Sequence, residues 1–423
     1  MNKIKVALIC HFSNDTIRNV LHQRIPWYEK VGRAILKKAP PTLNDFAQWN
    51  TNAIQELSKV NNIELSVIAP AQYMQRKECC WEESNVHYYF FRDEDDYLVN
   101  KIGSVIRPHH YNRYEKNRIV IKHYLTQIKP DVVHVIGAEN PYYSLSALDI
   151  PQEIPIIIQL QTLMSDPTFG RNYNGPKANY NYRSDVEKRV IQRANYVATT
   201  VDIYRQIITN NIKPNVSFLD LIFPLTEHVN LEDDKLKSFD FVYFANIISK
   251  ACDLALEAFG IAHKKHPEIS LDIIGNYTDV YKSNLHEIMK KHDIEDCVTF
   301  EGRLPRHEDV ISQIRKSKFA LLPLKIDITS STIRESMANG LPVLTTITQG
   351  TPSLNKDYQC VLLSEIGDHQ ALADNMCKLI EDDKLAELLK TNGYRKASAR
   401  RDNAEIVADW IKAYEEIVRQ VCL

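Results

Sequence analysis

Short apolar runs rich in β-branched residues recur along the chain, and stretches of helical periodicity separate them. Lys3–Cys10 (KIKVALIC), Ile63–Ala69, Val86–Phe91, Asp131–Ile136 (DVVHVI), Pro155–Leu160 and Tyr196–Thr200 read as strands of a first series. Helical patterns cover about Asn44–Lys59, Tyr111–Ile128 and Ser184–Arg193 between them. A second series begins near Phe239, after Glu232-Asp233-Asp234-Lys235. Its strands are Phe239–Ala245, Leu271–Ile274, Val298–Phe300, Phe319–Leu322, Pro342–Thr346 and Cys360–Leu363, and its helices are Lys250–Lys265, Val280–Lys291, His307–Lys316 and Thr332–Asn339. Strands that are apolar at consecutive positions are buried on both faces. Their alternation with helices therefore predicts parallel sheets covered on both sides. Two such series predict two Rossmann-like domains meeting at a cleft. The last helices, Gln370–Glu381 and Asn403–Gln420, are expected to pack outside.

The length of 423 residues exceeds what one core normally serves and agrees with two domains. The expected division is a first domain over 1–220, a second over 221–405, and a C-terminal helix over 406–423 that returns to the first. A net charge of -2 gives no global reason to expect a nucleic-acid partner. Two local runs are basic, however. Lys3, Lys5, Arg18, Arg24, Lys30, Arg33, Lys37 and Lys38 fall within the first 50 residues, and Lys101, Arg107, Arg113, Lys116, Arg118 and Lys122 form the other run. They are read as a solvated face, with peripheral contact to an anionic membrane surface as the alternative. No small-residue cleavage site follows Lys3–Cys10, no segment approaches the roughly 20 apolar residues of a membrane span, and the eight cysteines are scattered without metal spacing. These features predict reduced thiols and a cytoplasmic location, peripheral at the inner membrane face if the basic runs touch lipid.

Only 12 residues are glycine, about 3% against a usual 7%, so their positions carry information. Gly137, Gly275, Gly302 and Gly350 each stand just beyond an apolar strand, where open parallel sheets bind ligands. No G-x-G-x-x-G follows a strand and no G-x-x-x-x-G-K-[ST] occurs, which argues against a dinucleotide dehydrogenase and a P-loop nucleotidase. The richest stretch is Leu321–Thr346 (LLPLKIDITSSTIRESMANGLPVLTT). There a strand runs into a hydroxyl-rich loop and then a helix expected to start near Thr332. The backbone amides of Ser330, Ser331 and Thr332, with the helix dipole behind them, form a seat for a diphosphate. Glu335, one turn in, can accept the two hydroxyls of a ribose. Its competing role is the carboxylate of a capping box, Thr332-x-x-Glu335.

This block resembles the signature of family 4 glycosyltransferases, which have the GT-B fold and retain anomeric configuration. Glu335, Met337-Ala338, Gly340 and Pro342-Val343 match the family pattern, and Asp327 stands where the first of its two glutamates is expected. Asn246–Phe259 is similar to the segment that places Arg and Lys on the donor phosphates. Lys250 matches the Lys, while Ala245 or Asn246 stands in place of the Arg. Leu271–Asn276 (LDIIGN) resembles the donor loop, which implicates Gly275 and Asn276. Val298–Arg303 (VTFEGR) resembles the element that reads the base, which implicates Arg303. Lys129–Gly137, Ile154–Gln161 and Glu187–Thr200 resemble N-terminal family segments, but His11-Phe12-Ser13-Asn14 replaces the family's Gly-Gly, and Gln161 replaces a histidine. His11 follows the first strand and is expected to face the cleft, whereas His134 lies mid-strand and is read as structural.

The resemblance implies an α/β protein of GT-B fold, with two Rossmann-like domains facing each other across a cleft. It also implies transfer of a sugar from a UDP- or GDP-sugar to a carbohydrate-containing acceptor, with no metal and no cofactor. Lys250, Asp327 and Glu335 are the expected catalytic residues. Asn246, Gly275, Asn276, Arg303, Ser330, Ser331, Thr332, His11 and Gln161 are the expected substrate contacts. The alternatives are a sugar-nucleotide epimerase or phosphorylase on the same fold, and a partner subunit that binds sugar nucleotides without turnover.

Overall fold

The computed structural model describes residues 3–35, 43–94, 114–171, 177–224, 237–245, 251–275, 279–325, 330–348, 350–399 and 402–421. The chain forms two compact units. One comprises residues 1–26, 45–225 and 402–423, and the other residues 27–44 and 226–401. The sequence-derived division was contiguous, with breaks at 220 and 405. The structural units break at 225 and 401, and they assign residues 27–44 to the second unit.

The first unit is built on an eight-stranded sheet. Its strands are β1 (Ile4–Ile9), β2 (Ile63–Ala71), β3 (Glu78–Glu83), β4 (Val86–Arg92), β5 (Val132–Ile136), β6 (Ile156–Gln159), β7 (Tyr196–Ala198) and β8 (Ser217–Leu219), in the order β3-β4-β2-β1-β5-β6-β7-β8. All neighbouring pairs are parallel except β3 with β4. Polar, mostly exposed β3 carries no apolar run, so the hydrophobic pattern missed it; it caps the sheet edge as an antiparallel strand. β8, at the other edge, is three residues long and was missed for the same reason.

Additional helices occupy stretches read as connections. Asp15–Val20 and Trp27–Ile35 lie in the segment after β1, and Asp202–Asn211 and Asp383–Ser398 lie further on. The helix Lys177–Arg193 begins seven residues before the expected Ser184, in a polar stretch without an apolar stripe. The C-terminal helix Asn403–Val421 packs on the first unit. Trp410 is fully buried and donates its indole N–H to the Ile222 carbonyl at 2.9 Å. The Tyr414 hydroxyl meets His134 Nδ1 at 2.7 Å. Burial lowers the His134 pKa to about 3, so the ring is neutral and serves as a fixed hydrogen-bonding group in the core.

The second unit holds a six-stranded, wholly parallel sheet of β9 (Phe239–Phe244), β10 (Leu271–Ile274), β11 (Val298–Gly302), β12 (Ser317–Leu322), β13 (Val343–Thr346) and β14 (Val361–Ser364). The order is β11-β10-β9-β12-β13-β14. Alternate side chains serve opposite layers. Phe241, Tyr243, Phe319, Leu321 and Leu344 join the core that includes the helices Cys252–His263 and His369–Glu381. Val242, Phe244, Ala320, Leu322 and Val343 join the core that includes the helices His307–Ile314 and Ser331–Ala338. A strand with a core on each face favours apolar residues at consecutive positions, which is why these strands read as largely apolar runs, with Asp272 and Thr345 as buried exceptions.

Two cations of the basic runs are held in ion pairs, and Lys37 and Lys38 lie outside the described residues. Arg18 is buried and pairs with Asp45 at 2.5 Å, and Arg118 makes a two-pronged contact with Asp149 at 2.5 and 2.6 Å. Lys101, Arg107 and Arg113 lie outside the described residues. No helix among the described residues is long and apolar enough to cross a membrane.

Candidate functional site

In both sheets the strand order reverses beside the first strand of the unit, between β9 and β12 in the second and between β1 and β5 in the first. Connections from the two strands at such a point leave to opposite faces and open a crevice beyond the strand ends. That is where doubly wound sheets bind ligands.

In the second unit, β9 ends at Phe244 and β12 at Leu322. The chain after β9 carries Asn246 and Lys250, and the chain after β12 carries Asp327; these three, with Asn276, lie outside the described residues. Ala251, immediately after Lys250, takes the left-handed conformation with φ +61 and begins the helix Cys252–His263 with no side-chain cap. A non-glycine residue held there stores backbone strain, and such strain concentrates at ligand sites.

Beyond β12 the chain is pinned. The Leu324 amide donates to Thr346 Oγ1 at 2.7 Å, and the Thr345 hydroxyl donates to the Leu322 carbonyl at 2.7 Å. Lys325 extends from this pinned segment to Asp253 in the first turn of the helix after β9, at 3.0 Å, and the Tyr281 hydroxyl donates to the same carboxylate at 3.1 Å. This ion pair joins the two connections at the switch point. Sequence reasoning missed Lys325, although a lysine three residues past the end of a strand flanking the reversal was a readable signal.

The helix after β12 starts at Ser331, with Ser330 as its N-cap. Ser330 is buried, and its hydroxyl bonds that of Thr332 at 2.7 Å rather than capping the helix. The amides of the first turn have no acceptor inside the helix, so Ser331, Thr332 and Ile333 present N–H groups at the crevice end. Glu335 is the fifth helical residue, two positions beyond where a capping-box carboxylate must stand. The capping-box alternative therefore does not describe it. Its carboxyl instead faces His307 Nε2 at 3.5 Å, and its side chain is 14% exposed. Burial pushes its pKa up to about 8 against a smaller opposing pull from Arg334.

Gly275, just past β10, donates its amide to the carbonyl of Gly302 at 2.8 Å. Gly302 has φ +73, which a side chain would strain. The register shift between Ile273 and Ile274 brings these glycines together. Arg303 follows on the exposed rim of β11.

The first unit places His11 and Gln161 on the corresponding edge. The His11 ring stacks on Tyr142, pairs through Nδ1 with the Tyr142 hydroxyl, and meets the edges of Phe46 and Tyr143 at 5.3 and 5.4 Å. Burial, helped by the nearby Arg183 charge, lowers its pKa to about 4, so it is neutral near pH 7. Gln161 bridges two groups when its amide is turned to satisfy both. The nitrogen donates to Glu139 Oε1 at 3.0 Å, and the oxygen accepts from Trp49 Nε1 at 3.1 Å. Glu139 is 4% exposed, and burial raises its pKa. Asn140 Nδ2 donates to Glu139 Oε1 at 2.8 Å, while Oε2 is buried with no hydrogen-bond partner among the described residues. Arg183 reaches the Glu139 carbonyl at 2.9 Å. Gly137, at φ +93, makes the turn that brings these groups round, because a Cβ there would sit 2.6 Å from the Tyr143 hydroxyl. Glu139 was not expected from the sequence; a carboxylate two residues past Gly137 was its one visible sign.

Residues 231–396 match the family model described as Glycosyl transferases group 1. This stretch is similar to the group 1 glycosyl transferases. An uncharacterized glycosyltransferase of Haemophilus influenzae is 29% identical over 136 residues, 32% of this chain, and the chain spans 36% of that relative's length. Sucrose-phosphate synthase from Thermosynechococcus elongatus superposes with a TM-score of 0.70 over 99% of this chain and 100% of its own, at 13% identity. The E. coli trehalose-6-phosphate structure bound with UDP-2-fluoro glucose gives 0.63 over 97% and 98%, at 10% identity. At these identities the likeness is one of fold, and the fold is GT-B.

Proposed function

We propose that the protein is a glycosyltransferase that takes its sugar from a nucleotide-diphosphate-sugar and passes it to a hydroxyl of a carbohydrate-containing acceptor. The observation that carries this reading is Glu335: a largely buried carboxyl one turn inside a helix that starts at the switch point of the group 1-like domain. In this reading the amides of Ser331–Ile333 and the Lys250 ammonium hold the diphosphate. Glu335 accepts the ribose hydroxyls, Gly275 and Arg303 border the base, and His11, Gln161 and Glu139 serve the acceptor side. As the bond from the anomeric carbon to the phosphate oxygen breaks, charge builds on the phosphate, where fixed positive partners act most strongly. The acceptor oxygen bonds to the anomeric carbon from the leaving-group face, and its proton passes to the released phosphate oxygen, so configuration is retained. Asp327 is assigned to the reacting sugar from its position in the sequence alone.

The test is a calorimetric screen of the purified protein against UDP-, GDP-, ADP- and CMP-sugars, followed by product analysis over an acceptor panel. Failure of every donor to bind overturns the reading. Binding without turnover across the panel would reduce the protein to a sugar-nucleotide-binding subunit. Since protein cations and amides carry the phosphate charge, turnover should survive EDTA. Loss of activity with chelator, restored by magnesium or manganese, would contradict that charge assignment.

The raised Glu335 pKa gives a pH dependence with a definite sign. Ionising a buried carboxyl opposes folding, so its contribution to stability is complete below its ordinary value of 4.5 and is lost as pH rises toward about 8. A ribose that donates two hydroxyls favours the ionised form, so donor affinity should increase over the same interval, by at most about tenfold per pH unit. Glu335→Gln should bind donor more weakly by roughly 1.5–3 kcal/mol, the worth of a hydrogen bond to a charged group. It should also flatten both pH profiles. A variant that binds donor like the wild type at about pH 8 would remove Glu335 from the site.

A further inference from the structure

A surface helix of a water-soluble protein normally turns its apolar stripe inward and its charges outward. The helix Trp27–Ile35 does the reverse. Trp27, Val31 and Ile35 recur at intervals of four residues, and they are 75%, 47% and 76% exposed. The charged pair Glu29–Arg33, at 3.4 Å, lies on the other side, with the Glu29 side chain only 17% exposed. No residue of this helix is buried, so its apolar stripe contributes nothing to a core.

The charge on the exposed side has one sign. Lys30 stands among the apolar residues, exposed Arg24 precedes the helix, and Glu29 is the helix's sole acid. A tryptophan beside lysine on an outward apolar stripe is the pattern of a helix lying in the interface of an anionic bilayer. A second copy of this chain or a folded partner fits less well. Nine residues give a helix roughly 14 Å long, and three exposed apolar side chains fall well short of the about 800 Å² per partner buried in a stable protein interface. A symmetric pairing would also set Lys30 against Lys30. A lipid surface needs no shape complementarity, and attraction to anionic headgroups adds to the apolar area inserted.

We infer that the helix Trp27–Ile35 is a membrane-docking element that lies in the headgroup layer of anionic lipid, with Trp27, Val31 and Ile35 inserted and Lys30 at the phosphates. The inference goes beyond the transfer reaction and does not depend on it.

The experiment uses the full chain with vesicles of phosphatidylcholine alone or mixed with phosphatidylglycerol, read by co-sedimentation. The wild type should bind the anionic vesicles at least about 10-fold more tightly than the neutral ones, and high salt should weaken it. W27S/I35S should lower binding about 10-fold or more with an unchanged thermal midpoint, because both side chains are exposed. K30E should lower it roughly 25-fold on anionic vesicles, two charges at about 5-fold each. As a readout that leaves folding untouched, brominated lipid should quench the wild type more than W27F. The inference is overturned if the wild type ignores anionic vesicles, if W27S/I35S binds them equally well, or if quenching is the same in W27F. A concentration-dependent dimer abolished by W27S/I35S would assign the face to a second copy. Donor binding is measured separately, so failure of the transfer reading leaves this result interpretable.

Discussion

Lys250→Ala should depress kcat by roughly 10²–10³, the scale seen when a single transition-state donor is removed, while the donor KM changes much less. The charge on the leaving diphosphate grows as the bond breaks, so its cation contributes more to the transition state than to the bound donor. Lys250 follows β9 at the strand-order reversal, one residue before the strained Ala251 that starts the next helix. The sequence showed no second cation at hand, since the family's Arg is absent, but the structure adds Lys325. That ammonium is held at 3.0 Å from Asp253, which cancels part of its field. In the proposed reaction it should therefore replace Lys250 only in part. Lys250→Arg should recover some of the rate and not all, because a planar fork does not replace a compact ammonium at a close phosphate. Steady-state kinetics of the folded variants decide the matter. Wild-type kcat in Lys250→Ala would shift the phosphate charge to Lys325 and the Ser331–Ile333 amides.

Trp410→Ala should cost the first unit about 3–5 kcal/mol, the usual range for deleting a buried aromatic side chain. Trp410 is fully buried and sits in the same core as Val6, Leu8 and Val132. It packs 4.9 Å from the His134 ring and 6.2 Å from Phe223, and it satisfies the Ile222 carbonyl. Truncation opens a cavity, leaves that carbonyl without its donor and loosens the helix that carries Tyr414. Trp410→Phe should lose less, because it keeps most of the packing. Denaturant unfolding followed by circular dichroism measures both. A loss under about 1 kcal/mol for the alanine variant would show that the C-terminal helix docks without supporting the core.

Most of the sheet core was legible because its residues obey local rules. Strands buried on both faces are mostly apolar at consecutive positions, so β1, β2, β5, β6, β9, β10, β12 and β13 stood out as runs. β3 and β8 did not, because edge strands need no apolar run. The helices Asp202–Asn211 and Asp383–Ser398 were equally hidden, since single-sided burial leaves a weaker pattern in a polar stretch. The hydroxyl-rich helix start and Glu335 were visible from residue order. The cap is Ser330 rather than Thr332, two residues earlier, and that small shift removed the capping box.

The grouping of residues far apart in sequence was a different matter. Glu139 with Gln161, His307 with Glu335, and Asp253 with Lys325 become neighbours only when the strand order brings distant connections to one end of a sheet. The same holds for the raised Glu335 pKa, which comes from burial by surrounding elements. In the segment 27–35 the apolar stripe was present in the sequence from the start, yet its direction was not. A helical period states which residues share a face. Only the packing of the rest of the chain decides whether that face meets a core or the solvent.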